Sequence, residues 1–310
     1  MANITASDVK ELREMTGCGM MDCKRALVEA DGNRDEAVKI LREKGLAKAA
    51  KKAGRIAAEG IVKAKVNGTN GVIVEINCET DFCAKSDKFL ELVETITDTI
   101  LANDAADVEA LKNCTIAGGA QTVSEYMTEK IATIGENMNI RRFEQVEEAD
   151  GFVASYIHGG GKIGVLVDVE TDVINDAVKE MARNVAMQAA ALKPTFTNRD
   201  EVSPEFIEHE KAILIAQIQN DPKEASKPEK VIQGMIQGRI NKELKEFCLM
   251  DQVYVKAEDG KQSVSQYVAS VAKANNANIT IKKFVRFETG EGMEKKEENF
   301  AEEVAKQMGK

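Results

Sequence analysis

Two cysteine pairs share one spacing: Cys18 with Cys23, and Cys78 with Cys83, four residues intervening in each. Paired thiols at short spacing are candidates for zinc or redox chemistry. Structural zinc sites favour tighter spacing and four converging ligands, and the chain holds only two histidines, His158 and His209. The expectation is therefore free, buried or half-exposed thiols with no metal and no cofactor. Neither histidine stands where it would activate a serine or cysteine: His158 adjoins three glycines, and His209 lies among Glu208, Glu210 and Lys211. Gly159-Gly160-Gly161-Lys162 has the composition of a phosphate loop but not its spacing. A strand, Ile163 to Val169, follows where a helix is required. That run reads as a flexible hairpin tip. A thiol- or metal-dependent enzyme stays as a rival reading, but no catalytic constellation is legible.

One aromatic residue stands apart. The apolar run Val72 to Ile76 reads as a strand that delivers Asn77-Cys78-Glu79-Thr80-Asp81-Phe82-Cys83, and Ala84-Lys85-Ser86-Asp87 reads as a helix start. A core phenylalanine belongs inside the alternating run. One after it, flanked by Thr80 and Asp81, is a candidate for insertion into a partner. The alternative is a phenylalanine in a small satellite core.

The elements that position Phe82 recur. Gly60 to Phe82 aligns without a gap onto Gly151 to Val173, so that Glu79-Thr80-Asp81 returns as Glu170-Thr171-Asp172 and Val173 stands where Phe82 does. Each copy reads as strand, glycine turn, strand, then helix. Asn67-Gly68 and His158-Gly159 supply the hairpin turns, and helices follow over Asp87–Leu101 and Asn175–Leu192. Asn137-Met138-Asn139-Ile140 with Arg141-Arg142-Phe143 resembles Asn276-Ala277-Asn278-Ile279 with Lys282-Lys283-Phe284.

The predicted class is α+β. Residues 1–55 form an N-terminal three-helix module of ubiquitin-associated type, with Thr5 and Asp8 as a capping-box variant and a third helix running through Leu41 to Gly45. Two repeated α+β core subdomains, each a small antiparallel sheet with helices, occupy 56–148 and 149–288. The second carries an inserted antiparallel helical hairpin at about 200–250, with a turn at Pro222 and Pro228. A C-terminal module, 289–310, ends in a helix over Lys296–Met308.

Of the 310 residues, 43% are hydrophobic and 30% charged, a globular balance with long solvated helix faces. A net charge of −10 and the lack of tryptophan speak against a nucleic-acid partner. The basic run Lys48 to Arg55 reads as a solvated helix face, with contact to an acidic protein surface as the alternative. The N-terminus has no secretory pattern and no run suits a membrane span. A soluble cytoplasmic protein with reduced thiols is expected.

Several stretches together resemble the translation elongation factor Ts family, the guanine-nucleotide exchange factors of elongation factor Tu. They are Leu12 to Leu27, Lys48 to Arg55, Asn77 to Phe82, Ile134 to Arg142, and Arg286-Phe287-Glu288 with Gly290-Glu291-Gly292. The resemblance covers essentially the whole chain in order. It implies a protein-binding factor without an active site of its own, which binds elongation factor Tu in its GDP-bound and nucleotide-free states. It further implies that Thr80, Asp81, Phe82 and Cys83 displace the partner's magnesium, with Phe82 wedged between helices of its GTPase domain. The family usually has valine where Cys83 stands. By the same resemblance His158 approaches the phosphate-loop side of the partner, and Arg13, Met20, Met21 and Lys24 press on its GTPase domain. A homodimer or a 2:2 complex through the core or hairpin is left open.

Overall fold

The computed structural model describes residues 4–16 and 18–294. The helix expected over Lys296–Met308 lies outside the described residues.

Strand β2 (Asn70–Cys78) is buried from Gly71 to Cys78 without alternation. A strand buried on both faces needs a layer on each side, and the fold supplies two. Val72, Val74, Ile76 and Cys78 pack against Phe89, Leu92 and Ile96 of helix α5 (Asp87–Ala102) and against Tyr126 and Met127 of α7 (Val123–Ile134). Ile73, on the opposite face, joins Val62, Val146, Val153, Leu166 and Phe287. These come from β1 (Glu59–Asn67), β3 (Met138–Glu147), β4 (Gly151–His158), β5 (Ile163–Thr171) and β6 (Ile279–Glu288). The chain is therefore α+β, with two three-stranded antiparallel sheets, β1-β2-β3 and β4-β5-β6, packed face to face. Val165, Val167 and Val169 turn outward onto α8 (Asp176–Leu192) and α12 (Val264–Asn275). Where the sheets meet there is no room for side chains at two positions. A Cβ on Gly71 would lie 2.5 Å from Val153 Cγ1, and one on Gly164 2.5 Å from Val62 Cγ1.

The repeat is present in the backbone, but its second half is displaced by two residues from the gap-free alignment. In the first hairpin Asn67 pairs with Asn70 across a two-residue turn. In the second His158 pairs with Ile163, so residues 159–162 close a longer loop. Gly60 consequently faces Asn77, whereas Gly151 faces Glu170. The bulges agree, since Arg142 faces Glu75 as Lys283 faces Asp168. Glu75 thus corresponds to Asp168 and Glu79 to Asp172, while Asn175, the N-cap of α8, matches Ser86, the N-cap of α5. Phe82 lies on a short helical turn between Glu79 and Ser86 that the second copy does not form, so Val173 is not its counterpart. The recurrence of Glu-Thr-Asp concealed a two-residue insertion in the loop. Side chains follow the corrected register: Glu79 accepts from the Asn137 amide at 2.6 Å, and Asp172 from the Asn278 amide at 2.8 Å.

The N-terminal helices are α1 (Ala6–Thr16), α2 (Met20–Glu29) and α3 (Arg34–Lys52), around a core of Val9, Leu12, Cys23, Ala26, Leu27, Ala37 and Leu41. Thr5 and Asp8 cap α1 reciprocally, as their spacing predicts. Helix α3 does not stop at Gly45. That glycine faces Ala132 of α7, where a Cβ would sit 3.6 Å away, and the helix continues along the core. Nor is the following basic run simply solvated: Lys48 pairs with Asp22 at 2.8 Å, Lys52 donates to the Gly135 carbonyl, and Arg55 pairs with Glu79 at 3.4 Å.

Between β2 and β3 lie α4 (Asp81–Ala84), then α5, α6 (Val108–Lys112) and α7. The helical insertion consists of α9 (Pro204–Asn220), α10 (Pro222–Ala225) and α11 (Glu229–Phe247). Its base is closed by Phe206, edge-on to Phe196 at 5.1 Å and to Phe247 at 5.6 Å. Pro222 opens α10 and Pro228 precedes α11, positions that need no helical amide. Among the described residues no helix is long and apolar enough to cross a membrane.

Candidate functional site

A four-residue helix has no stability of its own, so α4 must be held from outside. Thr80 is its N-cap: the hydroxyl accepts from the Cys83 amide at 3.1 Å and donates to Glu136 Oε1 at 2.7 Å. The other oxygen of Glu136 accepts from the amides of Glu79 and Thr80, both at 3.0 Å. Glu79 returns the grip through the Asn137 amide. Two carboxylates thus lock the exit of β2 to the segment between α7 and β3. Cys83 and Ala84 are buried beneath the turn, while Phe82 is 83% exposed. The satellite-core reading of Phe82 is thereby excluded. Asp81, beside it, pairs with Lys85 at 2.7 Å, and that hydrogen bond holds its carboxyl below the usual range.

The glycine loop lies on the same edge, because both it and α4 pack on β1. Gly159, Gly160 and Gly161 all adopt positive φ, which the loop's path demands. The tip is not loose: the Gly161 carbonyl accepts from the Val62 amide at 2.8 Å and from the Thr289 hydroxyl at 3.0 Å, and Lys162 pairs with Glu59 at 2.7 Å. Docking onto β1, which spacing alone does not reveal, replaces the expected flexibility. His158 enters this loop exposed, its Nδ1 3.0 Å from the Tyr156 hydroxyl. The charge of Lys162 also acts on Asp81. Thr80, Asp81, Phe82, Cys83 and His158 therefore belong to one edge of the molecule.

Arg13, Met20, Met21 and Lys24 stand on a second face, formed by α1 and α2. All four are exposed, with Met20 at 53% and Met21 at 63%. Neither methionine serves the small core beneath, which is filled by Cys23, Ala26 and Leu27.

All six cysteines are free. A hydrogen bond with Cys83, reinforced by burial, pushes the Cys78 thiol well up, and burial raises Cys18. Such thiols are poor nucleophiles at neutral pH. Cys78 Sγ, Cys83 Sγ and a Glu136 carboxylate oxygen lie within 4.8 Å of one another and could hold a metal ion. In the sequence Lys162 stands out only as the end of a glycine run and Glu79 only as part of the repeat, while Glu136 and Lys85 carry no functional signal. Glu136 adjoins Asn137 in the stretch Ile134 to Arg142, but nothing local signals its bonds to the Glu79 amide and Thr80.

Comparison with known proteins matches residues 79–291 to the family described as Elongation factor TS. The chain is 52% identical to the elongation factor Ts of Clostridioides difficile over 310 residues, covering 99% of this chain and 100% of that protein. It is 49% identical to that of Clostridium botulinum strain Eklund 17B over 309 residues, and 50% identical to that of Clostridium perfringens strain SM101. Each of these covers 99% of this chain and 100% of the relative. The chain belongs to the elongation factor Ts family.

Proposed function

We propose that this chain is a translation elongation factor that catalyses nucleotide exchange on elongation factor Tu. It binds the GDP-bound form, displaces magnesium, releases GDP and holds the empty form until GTP enters. The observation that carries this reading is the 83% exposure of Phe82 on a turn fixed from beneath. An aromatic held outward without freedom to retreat binds with little further ordering cost. Phe82 is the wedge, with Asp81 and Thr80 beside it and Cys83 as its buried base. His158 meets the phosphate-loop side, and Arg13, Met20, Met21 and Lys24 grip the GTPase domain. No proton transfer or covalent step is needed, so the factor has no catalytic residues of its own.

The energetics are those of linkage. The factor must bind empty partner better than nucleotide-bound partner, and each weakens the other's binding by the same ratio. Burying a phenylalanine side chain is worth roughly 1.5–3 kcal/mol, and each ~1.4 kcal/mol is tenfold. Phe82→Ala is therefore expected to slow factor-stimulated release of a fluorescent GDP analogue from elongation factor Tu by about 10- to 100-fold, measured by stopped flow. Unchanged release by the folded variant would overturn the wedge.

A further inference from the structure

We infer that Cys78, Cys83 and Glu136 form a binding site for one thiophilic divalent cation of the zinc class, set directly beneath the exposed Phe82 turn. The inference does not rest on the exchange reading. Its basis is convergence: two thiols and a carboxylate, from β2, α4 and the link between α7 and β3, meet within 4.8 Å. Ligand atoms around a tetrahedral zinc ion stand roughly 3.5–3.8 Å apart, from bond lengths of about 2.0–2.3 Å. Each pair therefore needs to close by at most about 1.3 Å. The carboxylate is already oriented, since the amides of Glu79 and Thr80 and the Thr80 hydroxyl fix Glu136. Such support of a ligand from behind is what holds a metal site in shape.

The donor set selects the ion. Two sulfurs and one oxygen in a mostly buried pocket suit a borderline-soft cation, and disfavour magnesium or calcium, which need several oxygens. Cys78 and Cys83 are buried, whereas Glu136 is half-buried, so the ion and a completing water enter past the carboxylate. Binding exchanges protons for metal: both thiols lose their S–H protons to solvent, two sulfur–metal bonds and one oxygen–metal bond form, and nothing is oxidised or reduced. The complex carries one net negative charge, two thiolates and a carboxylate against two positive charges. Its effect is to tie the strand exit, the Phe82 turn and the segment before β3 at one point.

Cys-Cys spacing and scarce histidines alone speak against a metal. The third ligand, Glu136, reaches the site from 53 residues beyond Cys83, so local spacing does not reveal it. The other pair provides an internal control, because Cys18 and Cys23 gather no third ligand among the described residues.

The test is titration of the reduced full-length protein with Co2+, read by sulfur-to-cobalt charge transfer and tetrahedral d–d absorption. The expected result is one ion per chain, displaced by Zn2+, and unchanged in Cys18→Ser/Cys23→Ser. Cys83→Val is expected to abolish the signal, and Cys83→Ser does the same work should the valine variant fail to fold by circular dichroism. Zn2+ is also expected to raise the melting temperature of the wild type and not of the folded Cys83 variant. A signal that survives loss of Cys83, depends on Cys18 and Cys23, or never reaches one ion per chain would overturn the site.

Discussion

Phe82 and Thr80 are two residues apart and do opposite work. Phe82 contributes almost nothing to the fold, because its ring is in solvent. Thr80 contributes to the fold and, through it, to the placement of the ring. Thr80→Val keeps the shape and removes the hydroxyl that caps α4 and bonds Glu136. Loss of an N-cap costs about 1–2 kcal/mol, so urea unfolding of Thr80→Val is expected to show a destabilisation of that size together with slower nucleotide release. Phe82→Ala is expected to leave the urea midpoint in place and slow release alone. If the two variants behave alike in both measurements, the division between wedge and cap is wrong. This division was half legible in the sequence. An aromatic after the end of an apolar run marks Phe82 as unusual, because local periodicity states where core residues belong. Glu136, 57 residues from Glu79, carries no such local mark, since a carboxylate's partner is set by tertiary approach.

Among the elements, the β4–β5 loop shows how a hairpin tip is fixed onto the edge that carries Phe82. Gly161 has φ +99°, and a Cβ there would lie 2.7 Å from Ile61 Cγ2 and 3.2 Å from the Val62 carbonyl oxygen. Gly161→Ala is strained in its backbone and blocked by β1 at once. It is expected to destabilise the protein by about 1–3 kcal/mol and to lift the loop from β1. The amide of Val62, which donates to Gly161, should then lose protection from hydrogen exchange, whereas the amide of Val74 within the β2 ladder should keep it. Equal protection of Val62 in both proteins would show that the loop is not held this way. The strands and both hairpins follow from alternation and turn glycines. Their mutual register does not, because the loop after His158 is longer by two residues while a similar tripeptide recurs in both copies. The recurring Glu-Thr-Asp aligns Val173 with Phe82, whereas the N-caps Ser86 and Asn175 show that the turn carrying Phe82 is four extra residues of the first copy with no counterpart in the second.

In the molecule as a whole, face-to-face packing of the sheets is the feature the sequence reveals least. Unbroken burial along β2 demands two covering layers but does not say that one is a second sheet. The interface also places two corresponding carboxylates, Glu75 and Asp168, in unequal settings. Glu75 is fully buried and satisfied: Arg141 donates to it at 3.0 Å, Arg142 at 2.7 Å, and the Gly290 amide at 2.8 Å. Asp168 is also buried, but its Oδ1 has no hydrogen-bond partner and it faces Glu148. Burial, then the neighbouring Glu148 carboxyl, raises its pKa from 3.8 to about 6, with Lys282 and Lys283 offsetting only part. The folded protein therefore holds a proton on Asp168 between these values that the unfolded chain releases, and stability from this group falls as pH rises through that window. Well above pH 6 the full penalty applies, on the order of 3 kcal/mol. Asp168→Asn removes the charge and offers an amide donor to Glu148. It is expected to melt higher than the wild type at pH 7.5, with the advantage fading as pH falls from 6 towards 4. Glu75→Gln is expected to do the reverse, losing about 3 kcal/mol at pH 7.5, because Arg141 loses its carboxylate partner and Arg142 keeps only Glu291 at 3.5 Å. Melting curves of the three proteins across pH 4 to 8 decide the matter. A pH-independent difference between Asp168→Asn and the wild type would mean that Asp168 is ionised throughout and that its charge is not what the interface resists.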